Sequence, residues 1–587
     1  MAVSALSATN ISDVNRLAYK KTWLSLLHYD PSGQESSILS QDFFLNTKGK
    51  IDPNAELIDT IKAYQKNDTE VICKYPARYY WLSTQLGWKD YRQKESQCKG
   101  YNKWDLISDT KGISIVFVSG FLGNPASAFG HSFIKLNKAE DNNTDLLSNT
   151  VSYGAKLPEK YSMLSYIYNG VIGGYEASYS DEYYYMNDMT YSNQEFRQMW
   201  EYKLNLTPQQ KRLFLLHLWE LRGVHFRYYF FNRNCGYKVS ELLDVIEPEE
   251  IRHSAYIWYA PIETFYMMHS YPNKVSSIRY IPSAQQSIYA FYQGLSHEEK
   301  SKVRAYIDKN DQKILNDNNI ALASHIKILD FLLDFQTYKM SSLEKNSKIY
   351  QKEKITKHRL LQQRVLLPES HYKKPNAPIK LPITDYNAPN RLALSIVHKK
   401  DRNALKVEYS PFSIDATGFN IYDGDILKVL NTSLAFTDKK VSVPTLDLIQ
   451  IRRLRVEELP FDIDNPLAWE LHLGMKRTDK HDFFASAGIG YAWKIGRYAK
   501  LYAMMDLSIH SANRRYRANP YIGLFINRER VKIDMQYGLE NTVSKSVQNQ
   551  KFSIETAYHP DHRKSFYLKF NKDKLQTESE VGVRWYF

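Results

Sequence analysis

From Asn390 to the last residue, apolar side chains fall at every second position, and that period limits what this part of the chain can become. Trp469, Leu471, Leu473 and Met475 alternate with Glu470, His472 and Gly474. Leu501, Ala503, Met505, Leu507 and Ile509 alternate with Tyr502, Asp506, Ser508 and His510. Ile522, Leu524 and Ile526 follow the same rule, as do Val531, Ile533, Met535 and Tyr537. A helix repeats every 3.6 residues and a strand every two, so these are strands with one apolar and one polar face. About twelve such segments can be counted, each near the roughly 9–11 residues that a tilted membrane strand needs.

Alternation also describes any antiparallel sheet with one wet face, so a soluble β-sandwich or open sheet is the alternative to a membrane barrel. The chain ends Val581-Gly582-Val583-Arg584-Trp585-Tyr586-Phe587, which resembles the carboxy-terminal signature of bacterial outer-membrane barrels. No run approaches the roughly 18 consecutive apolar residues of a membrane helix, which excludes helical spanning but leaves a β-barrel open. The 45 tyrosines favour lipid interfaces, sugar surfaces or extended β-structure. The expectation is an antiparallel outer-membrane barrel of about twelve strands over residues 390–587.

Upstream the period is mostly helical. Residues 10–29 carry the stripe Val14, Leu17, Ala18, Trp23, Leu26 and Leu27, stopped by Asp30-Pro31-Ser32-Gly33. Asp52-Pro53 opens a second helix, over residues 54–66. The stripe Ile328, Phe331, Leu332 and Phe335 marks the helical stretch 282–367. Five prolines between Pro368 and Pro389, without periodic pattern, mark a linker. Between these lies a core domain with strands expected at 112–120, 131–136 and 150–154, a loop at 124–130, and helices at 193–204 and 207–221. The division is therefore 1–105, 106–281, 282–367, 368–389 and 390–587, in the α+β class.

Of three cysteines, Cys73 and Cys98 lie close together in the first module while Cys235 stands apart. In an oxidising compartment the simplest arithmetic pairs the first two and leaves the third free. The small residues of Met1-Ala-Val-Ser-Ala-Leu-Ser-Ala8 look like the end of a secretory signal, with any fuller export signal already removed.

Cys235 is where chemistry is expected. Asn234 is a good capping residue, and Val239, Leu242, Leu243 and Ile246 recur at helical spacing, which places the thiol in a first helical turn. There the helix dipole and unpaired N–H groups favour thiolate. A buried structural cysteine is the bland alternative. A thiol nucleophile needs a base within hydrogen-bond reach, and His131, at the start of a strand, is the candidate.

Ala126-Ser127-Ala128-Phe129-Gly130-His131-Ser132-Phe133-Ile134-Lys135-Leu136, with Asn234-Cys235 leading into Leu242-Leu243, resembles the Lnb N-terminal periplasmic domain, a family named after a bacterial lipoprotein N-acyltransferase. The resemblance covers about residues 110–250 and implies a permuted papain-like fold, with Cys235 as nucleophile and His131 as base and acid. The third catalytic group would lie on the strand after the histidine, at Ser152 or Tyr153, with Asn149 nearby. Gly130, Asn234 and Tyr175 would line the substrate site, although Gly173-Gly174-Tyr175 equally suits an ordinary turn. The resemblance implies a cell-envelope acyltransferase or acyl hydrolase acting on lipid or lipoprotein through a Cys235 thioester. A peptidoglycan-directed thiol amidase or peptidase, or a non-catalytic outer-membrane binding or assembly factor, are the alternatives.

The net charge of +14 is spread along the chain, and no zinc-finger spacing or RNA-binding signature accompanies it, so no nucleic-acid partner is expected. Cys/His clusters with ligand spacing and phosphate loops are also missing, so neither metal nor cofactor is expected. The partners expected are the outer membrane and a lipid or lipoprotein substrate; oligomeric state is left open.

Overall fold

A computed structural model describes residues 11–587 except 89–95, 105, 121–126, 139–141, 248–257, 318, 342, 370–371, 400–401, 438–439, 457–458, 462–466, 478–480, 512–515, 543–547 and 575. The signal-like opening, and the Asn124-Pro125-Ala126 part of the expected loop, lie outside the described residues. The chain divides into two units, Met1–Ser283 and Ala284–Phe587.

The first unit is built on a seven-stranded antiparallel sheet of order β6-β4-β3-β2-β1-β5-β7. Its strands are β1 (Gly112–Val118), β2 (His131–Asn137), β3 (Asn149–Ala155), β4 (Tyr175–Tyr183), β5 (Met199–Leu204), β6 (Phe226–Tyr228) and β7 (Val275–Ile281). β1 and β2 lie near its centre and are buried after their first residue, which is why β1 reads as a continuous β-branched run.

The expected helix at 193–204 is a correction. Its second half is β5, which pairs with β1 on one side and β7 on the other. A short apolar run has no period of its own to separate strand from helix, and the two flanking ladders decide. The glycine- and tyrosine-rich stretch before it divides at Gly173 (φ +78°) into a helix, Met163–Ile172, and β4. A Cβ on Gly173 would stand 2.4 Å from the Tyr229 ring, so this glycine terminates a helix rather than lining a pocket.

Helices pack around the sheet. The first expected helix is two, Ile11–Ala18 and Lys21–Leu26, with Trp23, Leu26 and Leu27 fully buried. The Asp52 carboxylate caps α1 (Pro53–Gln65) by accepting from Asn54 and Ala55 N–H. α2 (Pro76–Leu86) carries the buried Tyr79, Tyr80 and Trp81, and a Thr207–Gln210 capping box opens α3 (Pro208–Glu220). α4 (Cys235–Leu243) is buried along its whole length. Cys73 and Cys98 form the expected disulfide, their Cα atoms 5.2 Å apart.

The second unit opens with helices that include α5 (Leu322–Ser341) and α6 (Lys348–Val365). Phe335 of α5 packs 5.1 Å from Phe461, and Tyr292 packs 5.4 Å from the same ring. The rest is a closed antiparallel barrel of twelve strands. Arg391–Lys399 pairs with the final strand, Thr577–Tyr586, and with Arg402–Ser410, which in turn pairs with Ile426–Thr437 and closes the ring.

Which face is wet separates a membrane barrel from a sandwich. Leu392, Leu394 and Ile396 are 37%, 40% and 55% exposed, whereas Arg391, Ala393 and Ser395, which alternate with them, are 1%, 2% and 3%. Phe483, Ile489, Tyr491 and Trp493 likewise face outward. Inside, Arg452 donates to Asp534 at 2.8 Å, Arg584 to Glu555 at 2.8 Å, and Lys406 to Glu580 at 3.2 Å. A sandwich buries its apolar face; this barrel buries charges and exposes a hydrophobic girdle, which is the pattern lipid demands.

Candidate active site

The first turn of α4 is held from three directions. Asn234 is extended (φ −90°, ψ −170°), and its side-chain oxygen accepts the Tyr237 N–H at 3.3 Å. Its amide nitrogen donates to the carbonyls of Phe230 (3.0 Å) and Tyr259 (2.7 Å), tying the cap to both flanking segments. Gly236 allows close approach: a Cβ there would stand 2.4 Å from Pro261 Cα.

Cys235 is thereby fixed as the first helical residue, its thiol buried. Burial pushes the thiol above its ordinary value. The Ser132 backbone N–H and hydroxyl, the Gly236 N–H and the charge of Arg197 pull the other way, and burial outweighs them.

His131 enters β2 through Gly130, whose φ is +91° and whose Cβ would meet the Phe117 ring at 2.8 Å. Paired with Val118 across the sheet, the imidazole is half-buried with its centroid 5.5 Å from the Tyr191 ring. It makes no hydrogen bond among the described residues. Burial, seconded by Arg197, lowers it to about 3. The resting pair is therefore a neutral thiol and a neutral imidazole.

Both open on one cavity of about 270 Å³, walled by Phe129, Tyr153, Tyr191, Tyr228, Phe230 and Pro261 among others. Of the residues expected at the site, Cys235, His131, Tyr153, Gly130 and Asn234 line this cavity. Tyr153 is wedged beneath it, its ring stacked 5.8 Å from Tyr228 and its hydroxyl buried without a partner among the described residues.

Ser152 and Tyr175 do not reach the cavity. Ser152 alternates with Tyr153 along β3 and so faces the other side of the sheet, opposite Ser180. Tyr175 pairs across β4–β6 with Tyr228, and it is Tyr228 that enters the wall. Asn149 is opposite Leu136, at the far end of β2.

Sequence reasoning missed Ser132, Tyr191 and Arg197. Ser132 adjoins His131, and asking which N–H groups flank the thiol would have found it. Arg197 sits in coil before β5 with no pattern to mark it; its guanidinium binds the Ser119 carbonyl (2.6 Å) and Glu195 (2.8 Å).

Beneath α4 runs a buried polar chain. Lys238 contacts Glu241 (2.5 Å) and Ser37 (2.9 Å), with its ammonium 3.9 Å from the Phe226 ring centroid. Glu241 meets His28 (2.8 Å), and His217 meets Glu220 (3.1 Å). Glu220 also accepts the Arg78 backbone N–H (3.0 Å), and Arg78 donates to Glu56 (2.8 Å). Charges this deep persist only when each has a partner, so the chain locks residues 28–78 to the cysteine helix.

Fold and site together define a cell-envelope protein: a thiol-bearing periplasmic α+β domain joined to an outer-membrane β-barrel. Residues 100–269 match the family model described as the Lnb N-terminal periplasmic domain, as the two motifs implied. Residues 15–85 and 388–587 match two further models, each described as a domain of unknown function, DUF7843 and DUF7840. No curated protein matches the chain. Among solved structures, the KdgM porin is 10% identical, covering 34% of this chain and 99% of its own, with a TM-score of 0.24. The Acinetobacter baumannii outer membrane protein Omp33 is 8% identical, covering 35% and 100%, with a TM-score of 0.23.

Proposed function

We propose that the first unit is a thiol acyltransferase or acyl hydrolase of the cell envelope, acting on lipid or lipoprotein acyl groups, with Cys235 as nucleophile and His131 as base. The observation that carries this reading is a helix-N-terminal thiol sharing a partly aromatic cavity with an imidazole. The imidazole has no hydrogen bond to break among the described residues, so it can turn toward the thiol when substrate arrives, as catalytic contacts commonly tighten only in the complex.

In the first step Cys235 Sγ attacks the carbonyl carbon of an ester while its proton passes to His131. The Ser132 and Gly236 N–H groups, which face the thiol at rest, are the donors this reading assigns to the oxyanion. Collapse breaks the carbon–oxygen bond, leaves a thioester on Cys235, and returns the proton from His131 to the departing alkoxide. An amine or water then attacks the thioester and gives its proton through His131 to the thiolate. Phe129, Tyr228 and Phe230 in the wall suit an alkyl chain, which favours lipid over peptidoglycan, while Arg197 and Glu195 in the same wall offer charge to a polar headgroup.

Intact-mass measurement after incubation with phospholipid or a diacylated lipopeptide tests this, with Cys235→Ala in parallel. A fatty-acyl adduct on the wild type alone, removed by hydroxylamine, is expected. An unmodified thiol that still reacts with an alkylating probe would transfer the proposal to peptide substrates; an unreactive one would favour a binding role.

A further inference from the structure

The stretch from Tyr161 to Tyr175 contains no charged residue, and its helix, Met163–Ile172, is not buried. Ile167, Tyr168, Val171 and Ile172 occupy one face, with Tyr168 64% and Ile172 51% exposed. The opposite face is seated on the cavity wall. Phe230 N–H donates to the Gly170 carbonyl at 2.8 Å, and Tyr166 packs 5.0 Å from the Phe230 ring. A Cβ at Gly170 would overlap that ring, so the helix lies directly on Phe230, which lines the cavity.

A second apolar patch borders the same cavity. Tyr185, Met186 and Met189 are exposed on the helical turns that run into Thr190 and Tyr191, both in the cavity wall. A soluble domain seldom leaves two such patches bare around one opening unless something covers them.

We propose that this rim is a membrane-docking surface, which lays the thiol cavity against the phospholipid bilayer that holds the barrel. Tyrosines mixed with branched aliphatics are the side chains that settle at the headgroup boundary, and Lys156 and Lys160, exposed just before the helix with Glu159 between them, leave that edge net positive toward anionic headgroups. Ser283 is followed in the same chain by the unit that contains the barrel, so this unit is tethered to a partner seated in a bilayer. The proposal stands without the acyl-transfer reading; if both hold, substrate enters the cavity from the lipid surface rather than through water.

The test uses the full chain, one copy per lipid nanodisc, on a Cys235→Ser background. A fluorophore sensitive to its surroundings is attached at Val171→Cys, at Met186→Cys, or at Lys62→Cys on α1 as control. The first two are expected to be quenched by nitroxide placed near the headgroup end of the acyl chains, less by mid-chain nitroxide, and to be shielded from aqueous iodide. That order follows if an apolar face sinks about 5–10 Å into the boundary. Lys62→Cys should show the reverse. Iodide quenching at all three positions would overturn the proposal. So would shielding at Val171 without lipid quenching, which would mean that protein covers the patch. No enzymatic activity enters the readout, so failure here is distinct from failure of the thioester test.

Discussion

His28 and His217 meet nitrogen to nitrogen, Nε2 to Nε2, at 3.0 Å inside the first unit, each ring also holding a carboxylate through Nδ1. The three contacts Glu241–His28, His28–His217 and His217–Glu220 require three protons, one more than two neutral imidazoles carry. Burial lowers His28 to about 4, outweighing the pull of Glu241, so the His28 ring stays neutral at pH 7. Lys238 stands against Glu241 and Arg78 against Glu56 in the same buried chain.

A pH dependence follows. The unfolded chain protonates His28 as pH falls through 6.5, whereas the folded one resists until about 4. The unfolded state thus binds more protons between those values, and stability falls with pH across that window, by roughly 3 kcal/mol from this residue. His131, lowered to about 3, acts in the same direction. Glu263, raised by burial to about 7, acts in the opposite sense, so the His28 contribution is read as a difference: the stability advantage of the wild type over His28→Asn in thermal melts should shrink as pH falls from 6.5 to 4. Glu241→Gln should cost about 3–5 kcal/mol, since Lys238 would remain buried without its counter-charge.

Ser132 should tune the nucleophile without touching the fold's core. Its buried hydroxyl makes no hydrogen bond at rest among the described residues but favours the Cys235 thiolate, so Ser132→Ala should raise a thiol that burial already holds above its ordinary value. Alkylation of Cys235 should accelerate with rising pH in both proteins, with the variant's curve displaced to higher pH. Coincident curves would remove Ser132 from the site.

Gly130→Ala combines two penalties, a non-glycine residue at φ +91° and a Cβ driven against Phe117. The expected cost is about 1–3 kcal/mol. Because Gly130 delivers the chain into His131, alkylation at Cys235 should remain while any acyl-adduct formation falls. Differential scanning calorimetry and intact-mass kinetics read the two effects separately.

The barrel was legible because lipid outside and ion pairs inside impose a strict period of two, as in Arg391 to Ile396. Its closure was not, because the pairing of Arg391–Lys399 with Thr577–Tyr586 is a contact between positions far apart in sequence. The Cys235 cap and the glycine before His131 were readable from local chemistry. That Tyr153 and not Ser152 lines the cavity depends on how α4 packs on the sheet, which no local pattern gives. Arg197 and β5 were invisible for a related reason: their roles come from packing between strands, not from local pattern.

The twelve-stranded barrel should not conduct ions, because its own chain closes it. The segment 411–425 lies at the end where Arg391 starts its strand and Tyr586 finishes the last. There Asp415 accepts from Arg391 at 3.1 Å, Thr417 donates to Glu555, Arg584 donates to Thr417 at 3.2 Å, and His559 meets the Thr417 carbonyl at 2.8 Å. The lumen beyond is crossed by Arg452–Asp534 and Lys406–Glu580. A charged lumen stays open to ions only where water outcompetes these pairs, and here several strands converge on the same inserted loop. Planar-bilayer recordings of the wild type should therefore stay at baseline. Replacing residues 415–420 with a Gly/Ser stretch removes Asp415 and Thr417 together, and should give discrete conductance steps. Asp415→Ala alone should not, since Arg391 also holds Glu408 and Asn431. Steady channels from the wild type would mean that the loop leaves the lumen and that this barrel is a pore rather than an anchor.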